Sequence, residues 1–490
     1  TRVCDQRYPA AGTPNAVVEL YILSADGKDR KKVDLGDDAD IYLARVDWAP
    51  DGKSLIVQRQ SRDQKQLDLL RVDAQTGASS VMFSETSPTW VNLHDNLRML
   101  KDGGLLWWSE KSGHGHLYHI KNGKWTQLTS GDWEVDNVVA VDEVKGLVYF
   151  TGNRETPVEK QLYRASLKKA GPVVQLTESG WNNSAVMDGK ATRAIISRSN
   201  TDNPPQSYIA DQNGKRIGWI SENSVSGDHP YAPFKASHNK VQFGTIKADD
   251  GTILHYNMIL PKMEPGKKYP VWMQHYGGPG VQTVTNSWMG GLPQFIADQG
   301  YIYFQVDNRG ATARGKAFED HLYHAMGTVE VADQLKGVEY LKSLPMVAAD
   351  RIVTFGWSYG GYMTLKLLED ARGVFAAGVA GAPVTDWALY DTHYTERYLG
   401  DPRKVPEVYT KSGALENSAK IADPLLVIHG LSDDNVVFDN SSRLIAKMQA
   451  DGQAFEMALY PGKTHRVSGV EEQMYRTILN FFNRHIENKE

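Results

Sequence analysis

The chain has 490 residues with a formal net charge of −5, and 41% of its residues are hydrophobic. A chain of this length is too long to fold around a single hydrophobic core, so two or more domains are expected. The composition excludes a disordered or fibrous protein, and the acidic balance argues against nucleic-acid binding. Cys4 is the only cysteine, so an intrachain disulfide is impossible and a thiolate metal site is not expected.

Short alternating strands, separated by Asp-Gly and Asn-Gly turn signals, fill residues 20–220. Similar strand openings recur in steps of 45 to 50 residues, at Leu20, Leu67, Leu117, Leu162 and Ser207. About four strands in such a period make one β-propeller blade. Residues 1–230 are therefore predicted to form four to five blades, with an irregular β-sandwich as the alternative. The first unit begins abruptly, so we expect the propeller to be incomplete in this chain.

Residues 231–490 follow a different pattern, after a stretch rich in Ser, Gly, Pro and Asn at 221–233. Apolar strand candidates alternate here with amphipathic helical stretches such as 328–344 and 469–486. The predicted strands are 271–274, 302–306, 352–355, 376–380, 425–428 and 455–459. Strand–helix alternation of this kind predicts a doubly wound, mostly parallel sheet with helices on both faces.

The pattern Gly-x-Ser-x-Gly occurs at 356–360, directly between a predicted strand and a predicted helix. In this nucleophile elbow, a tight strand-to-helix turn exposes the serine hydroxyl of an α/β-hydrolase. Its glycines avoid clashes with neighbouring backbone, and the N-terminus of the following helix favours a developing oxyanion. We therefore predict that Ser358 is the nucleophile of an α/β-hydrolase domain, with a simple glycine-rich turn as the alternative.

A serine hydroxyl needs a base, and this fold supplies acid and base in the chain order Ser, Asp, His. Asp433 follows a predicted strand and is the predicted acid, with its neighbour Asp434 as the alternative. His465 lies in the loop after the last predicted strand and is the predicted base. The competing His429 stands at a strand end and is expected to make structural hydrogen bonds.

Two oxyanion donors are expected in this fold. The backbone N–H of Tyr359 is predicted to be one, and the Tyr276 hydroxyl, in the glycine-rich loop 275–280, is a candidate for the second. Simple packing is an equal alternative for Tyr276. His114 and His116 lie in a turn of the β-rich half and are predicted to be surface groups, so no metal site is expected.

Further motifs accompany the predicted triad. They are Tyr-Gly-Gly-Pro at 276–279, Asp-Asn-Arg-Gly at 307–310, Gly-Thr-Val-Glu-Val at 327–331, Ala-Pro-Val at 382–384, Tyr-Thr-Glu-Arg-Tyr at 394–398 and Asp-Asp-Asn-Val at 433–436. Weaker matches run back through 131–135 to Tyr8, Pro9 and Arg2. On these motifs the chain resembles, over essentially its whole length, the prolyl oligopeptidase family of serine peptidases, and within it the dipeptidyl peptidases.

The resemblance implies an enzyme that removes N-terminal dipeptides whose second residue is proline or alanine. It implies Tyr276 as the side-chain oxyanion donor, and Asn435 as a hydrogen-bond partner of the carbonyl of the substrate's penultimate residue. It also implies a pocket for the proline ring, formed by Tyr359, Val384, Trp387, Tyr390, Tyr394 and Val436. Flat aromatic and branched walls suit a pyrrolidine ring and exclude longer side chains. Ordinary core packing is the alternative for each of these residues.

The sequence departs from the family pattern at two points. Arg466 follows His465, where relatives usually have glycine, and this cation is expected to lower the basicity of His465 or to narrow the entrance. In addition, no position matches the acidic pair and the arginine with which the family binds the amino terminus and peptide carbonyl of the substrate. We therefore expect this chain to be the C-terminal two-thirds of the enzyme, with the missing blades on another polypeptide or lost by cleavage.

Other activities of the same family are the main alternatives: a tripeptidyl, acylaminoacyl or endo-acting prolyl peptidase. A non-catalytic binding protein and a general esterase are the remaining ones. No cofactor is expected, and no apolar run approaches the roughly 18 residues that span a bilayer. The resemblance alone predicts a homodimer and a periplasmic or secreted location.

Overall fold

The computed structural model describes residues 6–487, so Arg2 and Cys4 lie outside the described residues. In the first half of that range, eighteen strands form five antiparallel sheets. The first sheet has two strands, β1 (Tyr21–Leu23) and β2 (Arg30–Lys32). Four four-stranded sheets follow: β3 (Ile41–Trp48), β4 (Ser54–Ser61), β5 (Gln66–Asp73) and β6 (Ser79–Thr86); β7 (Arg98–Met99), β8 (Leu105–Ser109), β9 (His116–Lys121) and β10 (Lys124–Gln127); β11 (Val135–Asp142), β12 (Leu147–Gly152), β13 (Gln161–Ser166) and β14 (Val174–Gln175); β15 (Asn182–Met187), β16 (Arg193–Asn200), β17 (Asn203–Asp211) and β18 (Arg216–Ser221).

Each four-stranded sheet corresponds to one unit of the sequence repeat. The openings Leu67, Leu117, Leu162 and Ser207 lie in β5, β9, β13 and β17, the third strand of each sheet. Leu20 directly precedes β1 and opens the two-stranded sheet. Within every sheet each strand pairs with its neighbours in sequence, as in a propeller blade. The prediction of four to five blades thus matches four complete sheets and one two-stranded sheet.

Apolar side chains join each blade to the next one along the chain. Leu69 of β5 packs in one cluster with Trp107 of β8, Leu106 of β8 with Phe150 of β12, and Leu162 of β13 with Ile196 of β16. All six side chains are almost completely buried. Face-to-face stacking of successive sheets is the packing of a β-propeller, so this fold prediction is confirmed over the β-sandwich alternative.

The second half contains one eight-stranded sheet with helices on both faces. In spatial order its strands are β19 (Val241–Lys247), β20 (Ile253–Ile259), β22 (Ile302–Val306), β21 (Tyr269–His275), β23 (Val347–Trp357), β24 (Ala377–Gly381), β25 (Leu425–Gly430) and β26 (Glu456–Tyr460). The helices are α1 (Gly291–Asp298), α2 (Lys316–Asp320), α3 (Val329–Ser343), α4 (Tyr359–Asp370), α5 (Thr392–Leu399), α6 (Pro406–Ser412), α7 (Asp439–Ala450) and α8 (Glu471–Glu487), with 3-10 turns at Ala232–Ser237, Trp387–Leu389 and Ser418–Lys420.

The pairing from β22 through β21 to β26 is parallel, whereas β20 pairs antiparallel with both β19 and β22. One face of the sheet packs against α1 and α8, and the other face packs against α3, α4 and α7. This arrangement confirms the predicted α/β-hydrolase domain. Residues 222–240, which include the boundary predicted at 230/231, connect β18 to β19. Within residues 6–487, no helix combines the length and apolar character needed to cross a bilayer.

Candidate active site

Ser358 stands at the bend between β23 and α4, at the carboxyl edge of the sheet. Its backbone is in the left-handed region, with φ at +63°, a conformation that costs a non-glycine residue about 1–3 kcal/mol. The Ser358 N–H donates to the Gly381 carbonyl oxygen at 2.8 Å and so ties the bend to the end of β24. The structure therefore places Ser358 on the strained elbow that the sequence pattern predicts.

The elbow contains three glycines, and neighbouring backbone atoms pass very close to the Cα atom of each. A Cβ atom on Gly356 would stand 2.3 Å from the Gly360 carbonyl oxygen, and one on Gly361 would stand 2.3 Å from the Gly381 carbonyl oxygen. A Cβ atom on Gly360 would stand 2.7 Å from the carbonyl oxygen of His275, at the end of β21. Backbone oxygens cannot rotate away as a flexible side chain can, so each of these positions requires glycine.

Asp433 and His465 lie in the loops after the adjacent strands β25 and β26. The His465 Nδ1–H donates to the Asp433 Oδ2 atom at 2.8 Å. The two loops are also joined through their backbones, because the Ser432 N–H donates to the Lys463 carbonyl oxygen at 2.9 Å. The predicted acid and base are thus brought together and oriented by the edge of the sheet.

The His465 loop also contacts the elbow. The Trp357 indole N–H donates to the His465 carbonyl oxygen at 2.9 Å, and Trp357 directly precedes the nucleophile. Among residues 6–487, no hydrogen bond joins the Ser358 hydroxyl to the imidazole. Hydrogen bonds between catalytic groups are often long in the free enzyme and shorten when substrate binds.

The Asp433 carboxylate is fully buried and accepts several hydrogen bonds. Its Oδ1 atom accepts the N–H groups of Asn435 and Val436, each at 2.9 Å, and its Oδ2 atom accepts from His429 and His465. Burial raises the pKa of Asp433, but the hydrogen bonds from His429 and His465 outweigh it and lower this pKa to about 2. The carboxylate therefore stays ionised near neutral pH and can stabilise a protonated His465.

His429 makes the structural hydrogen bonds expected of it. Its Nε2 atom lies 2.9 Å from the Val436 carbonyl oxygen and 3.1 Å from the Asp433 carboxylate, while Nδ1 lies 2.7 Å from the Ser441 hydroxyl. Two acceptors on one side require the proton on Nε2, so Nδ1 accepts from Ser441. Asp434, the alternative acid, is exposed and has no hydrogen bond to any described residue.

The predicted oxyanion donors lie on either side of the elbow. Tyr359 is the first residue of α4, so its backbone N–H has no acceptor within the helix. The Tyr276 ring lies 6.0 Å from the Tyr359 ring, at the end of β21. Its hydroxyl forms no hydrogen bond with the described residues, and burial raises its pKa. Both groups are thus left with a donor to offer a ligand.

The six side chains assigned to the proline pocket pack in one cluster with Tyr276. Ring centroids lie 5.6 Å apart for Tyr359 and Trp387, and 5.2 Å apart for Tyr390 and Tyr394. The Trp387 and Tyr394 rings lie 6.1 Å apart and nearly parallel. Tyr276, Tyr390 and Tyr394 are half-buried, whereas Tyr359, Val384, Trp387 and Val436 are buried behind them. Of this cluster, the aromatic cage, only the three half-buried tyrosines reach solvent.

Asn435 stands at the rim of this cage. Its side-chain Oδ1 accepts the Tyr390 hydroxyl at 2.8 Å, and its Nδ2 has no partner among the described residues. Tyr8, from the start of the described chain, donates its hydroxyl to the Asn435 carbonyl oxygen at 2.8 Å and packs its ring 6.3 Å from that of Tyr390. The sequence motifs include Tyr8, but nothing local in the sequence places it beside the cage.

Glu330 is a second residue without a predicted role. It is completely buried in the first turn of α3 and accepts the Tyr359 hydroxyl at 2.7 Å as well as the N–H groups of Gly327 and Thr328. Burial raises the pKa of Glu330, while the hydrogen bonds from Gly327 and Tyr359 oppose that rise. The signal in the sequence is the motif at 327–331, which places an acidic side chain at a helix N-terminus.

The prediction that His114 and His116 are surface groups is wrong for His116. This side chain is 1% exposed, and its ring nitrogens lie 3.1 Å from the Thr129 hydroxyl and 2.9 Å from the Gly131 carbonyl oxygen. These partners follow β10, which pairs with the strand β9 that His116 opens, so the local turn pattern could not reveal them. His114 is half-buried, and Arg466, beside the predicted base, is exposed. Within residues 6–487, no cluster of His, Cys, Asp and Glu side chains has the geometry of a metal site.

Two models of known protein families match this chain. The sequence model of the prolyl oligopeptidase family matches residues 288–489, and that of the dipeptidyl peptidase IV N-terminal region matches residues 1–205. Human dipeptidyl peptidase 8 is 30% identical over 95% of this chain and 61% of its own length. "Probable dipeptidyl-aminopeptidase B" of Emericella nidulans is 33% identical over 98% of this chain and 56% of its own length.

The crystal structure of Porphyromonas gingivalis dipeptidyl peptidase 4 superposes with a TM-score of 0.93 at 29% identity, over 98% of this chain and 68% of that one. The chain spans 61% and 56% of the length of the two curated relatives. Both halves, the blades and the hydrolase domain with its elbow, match members of one family in order. The chain belongs to the prolyl oligopeptidase family.

Proposed function

We propose that the protein is a serine peptidase that releases N-terminal dipeptides with proline or alanine in second position. The observation that carries this proposal is the hydrogen bond of 2.8 Å between Asp433 and His465, beside a strained elbow that bears Ser358. A buried carboxylate that orients an imidazole beside the elbow of a half-buried serine has the chemistry of acyl transfer. The names of the relatives, dipeptidyl peptidases and dipeptidyl-aminopeptidase, support the release of dipeptides.

The mechanism follows from these roles. His465 takes the proton of the Ser358 hydroxyl as the oxygen attacks the substrate carbonyl, and Asp433 stabilises the imidazolium. The Tyr359 N–H and the Tyr276 hydroxyl donate to the tetrahedral oxyanion. His465 then protonates the leaving amine, the acyl-enzyme forms, and water activated by His465 hydrolyses it. No metal or cofactor is needed for these steps.

The aromatic cage supports the choice of proline. Its half-buried rings, those of Tyr276, Tyr390 and Tyr394, offer flat apolar surfaces to a compact ring. Buried Tyr359 and Trp387 fill the space behind them, so a long side chain would meet packed rings. Alanine would fit but would bury less apolar surface, so we expect X-Pro substrates to be preferred to X-Ala substrates.

Replacement of the nucleophile tests the proposed chemistry. The Ser358→Ala variant should lose about 10⁴-fold or more in kcat on Gly-Pro-nitroanilide, and a fluorophosphonate should label the native protein but not the variant. Ser343→Ala, at the exposed end of α3, serves as the control and should keep full activity. Near-normal turnover by Ser358→Ala would refute the proposal.

A blocked substrate separates the dipeptidyl activity from its alternatives. An aminopeptidase requires a free amine, so Gly-Pro-nitroanilide should be cleaved while its N-acetylated form is not. Equal cleavage of both would favour an endo-acting prolyl peptidase, and preference for the acetylated form would favour an acylaminoacyl peptidase.

A further inference from the structure

The helix α5 has one face in the aromatic cage and the other against the propeller. On the first face, the Tyr394 ring stacks on Trp387 and lies 5.0 Å from the Tyr398 ring. On the second face, His393 makes an edge contact with Tyr42 of β3, with ring centroids 4.7 Å apart. A shift of α5 relative to the propeller would therefore move a wall of the cage.

A buried ion pair crosses from the propeller to this helix. Arg62 directly follows β4. Its Nε–H donates to Oε2 of Glu396 and its Nη2–H donates to Oε1, each at 2.8 Å. The Arg62 side chain is 15% exposed and that of Glu396 is 2% exposed. Glu396 also accepts the Gly12 N–H at 2.8 Å. Two parallel hydrogen bonds between a guanidinium and a carboxylate fix the relative orientation of the two groups as well as their distance.

Gln64 makes a second set of contacts from the same turn. Its amide nitrogen donates to the His393 carbonyl oxygen at 2.5 Å, and its amide oxygen accepts the Arg397 Nε–H at 2.6 Å. Gln64 is fully buried and has φ at +57°. A non-glycine residue rarely adopts this conformation. Here it directs the side-chain amide of Gln64 towards α5, where both the nitrogen and the oxygen of the amide form hydrogen bonds.

Other contacts fix the two ends of the helix: the Thr392 N–H donates to the Pro9 carbonyl oxygen at 2.9 Å, and the Tyr398 ring packs 5.0 Å from that of Trp90. The helix has eight residues, and its buried apolar side chains outside the cage, Tyr398 and Leu399, stand at its C-terminal end. A helix this short is not stable by itself in water. Its N-cap, Asp391, accepts the Tyr394 N–H at 2.8 Å and so fixes only the start of the helix.

We infer that Arg62 and Gln64 of the propeller are positioning residues for the specificity pocket of the hydrolase domain. They hold α5 so that Tyr394 closes the cage around the residue on the acyl side of the scissile bond. The inference rests on the proposed function, because it assigns the propeller a part in choosing between proline and alanine at that position. Neither residue is expected to touch the substrate.

The Gln64→Gly variant is the most direct test. Glycine accepts the positive φ without strain, so the turn should remain folded while both bonds to α5 are lost. We expect kcat/KM for Ala-Pro-nitroanilide to fall about tenfold or more, since misplacement by 1 Å can cost about a hundredfold. The alanine substrate Ala-Ala-nitroanilide makes less use of the cage and should fall less, so selectivity for proline should decrease.

A second variant and a matched control separate positioning from a general loss of stability. The double variant Arg62→Gln with Glu396→Gln removes the ion pair without leaving one buried charge unpaired, and it should lower selectivity in the same direction. The double variant Arg59→Gln with Asp68→Asn removes a comparable ion pair, at 2.7 Å, that lies within the propeller. It should leave proline selectivity unchanged.

Hydrogen–deuterium exchange gives a readout that does not depend on activity. The α5 amides should exchange faster in Gln64→Gly, while those of α8 should not change. Equal loss of activity on both substrates with unchanged α5 exchange would overturn the inference, and so would a similar loss of selectivity in Arg59→Gln with Asp68→Asn. Faster α5 exchange in a protein whose native form cleaves neither substrate would instead refute the proposed function alone.

Discussion

The Asp433 carboxylate accepts hydrogen bonds from two imidazoles through the same oxygen atom. His429 donates from the buried side, and His465 donates from the side of the elbow. Because His429 is also bonded to Val436 and Ser441, it fixes the carboxylate on the buried side, while the Nε2 atom of His465 has no hydrogen-bond partner among the described residues. The structure thus distinguishes the surroundings of two histidines that the sequence could separate only by their positions relative to the strands.

Replacing each of the two adjacent aspartates separates their roles. Asp433→Asn should lower kcat about 10⁴-fold, because an amide can no longer hold His465 in the tautomer that accepts the serine proton. Asp434→Asn changes an exposed carboxylate without partners and should leave kcat nearly unchanged. Kinetics on Gly-Pro-nitroanilide, with fluorophosphonate labelling rates as a second measure, provide the comparison. A larger loss in Asp434→Asn would exchange the two assignments.

At the level of elements, the elbow depends on glycines that face backbone atoms. In Gly361→Ala the new Cβ would meet the Gly381 carbonyl oxygen at 2.3 Å, so α4 would have to move away from β24. Such overpacking costs about 1–3 kcal/mol and should displace Ser358. We expect a lower thermal unfolding midpoint together with a fall in kcat of at least tenfold.

Gly291→Ala is the matched control for this prediction. Gly291 opens α1 in the same domain, and a Cβ atom there would meet nothing within 4 Å. Its effect should stay within about 0.5 kcal/mol, the usual range for surface changes. If both variants were equally mild, the close approach of backbone at the elbow would not be what requires glycine.

The sequence predicts elements well where the pattern is strong and local. The strand 302–306 coincides with β22, and the helices predicted at 328–344 and 469–486 differ from α3 and α8 by one or two residues at each end. The helix α5 could not be predicted in this way, because its polar residues are fixed by Arg62 and Gln64, more than 300 residues away in sequence. The strands β19 and β20 were also missed, since they form the antiparallel edge of a sheet that is otherwise parallel.

At the scale of the whole molecule, the interface between propeller and hydrolase domain contains buried carboxylates from both halves. Glu110 and Glu319 are bridged by the Asn92 amide, at 3.0 Å and 2.8 Å. Glu134 accepts the Gly315 N–H at 2.7 Å. Glu319 lies far along the chain from the other two carboxylates, so no motif could place the three groups together. The composition predicts two domains but says nothing of how they meet.

Burial, and then repulsion from Glu319, raise the pKa of Glu134 to about 7, while the Gly315 hydrogen bond opposes the rise. Nearby Asp136 acts in the same direction as Glu319, and Lys160 acts against it. In an unfolded chain a glutamic acid has a pKa of about 4.3. The folded protein therefore binds the Glu134 proton more tightly than the unfolded chain does. The contribution of this proton to the free energy of unfolding is complete below about pH 4 and is lost as the pH rises through 7.

Glu134→Gln should remove this pH dependence, because the amide oxygen can still accept the Gly315 N–H while no charge develops in the interface. Between pH 5 and pH 8, the thermal unfolding midpoint of the native protein should fall more than that of the variant. The difference between the native protein and the variant corresponds to a change in the free energy of unfolding of at most about 3 kcal/mol. Glu222→Gln, at an exposed position in the connection to β19, should follow the native curve. Parallel curves for the native protein and Glu134→Gln would mean that Glu134 is already ionised at pH 5 in the folded state, and that the interface tolerates its charge.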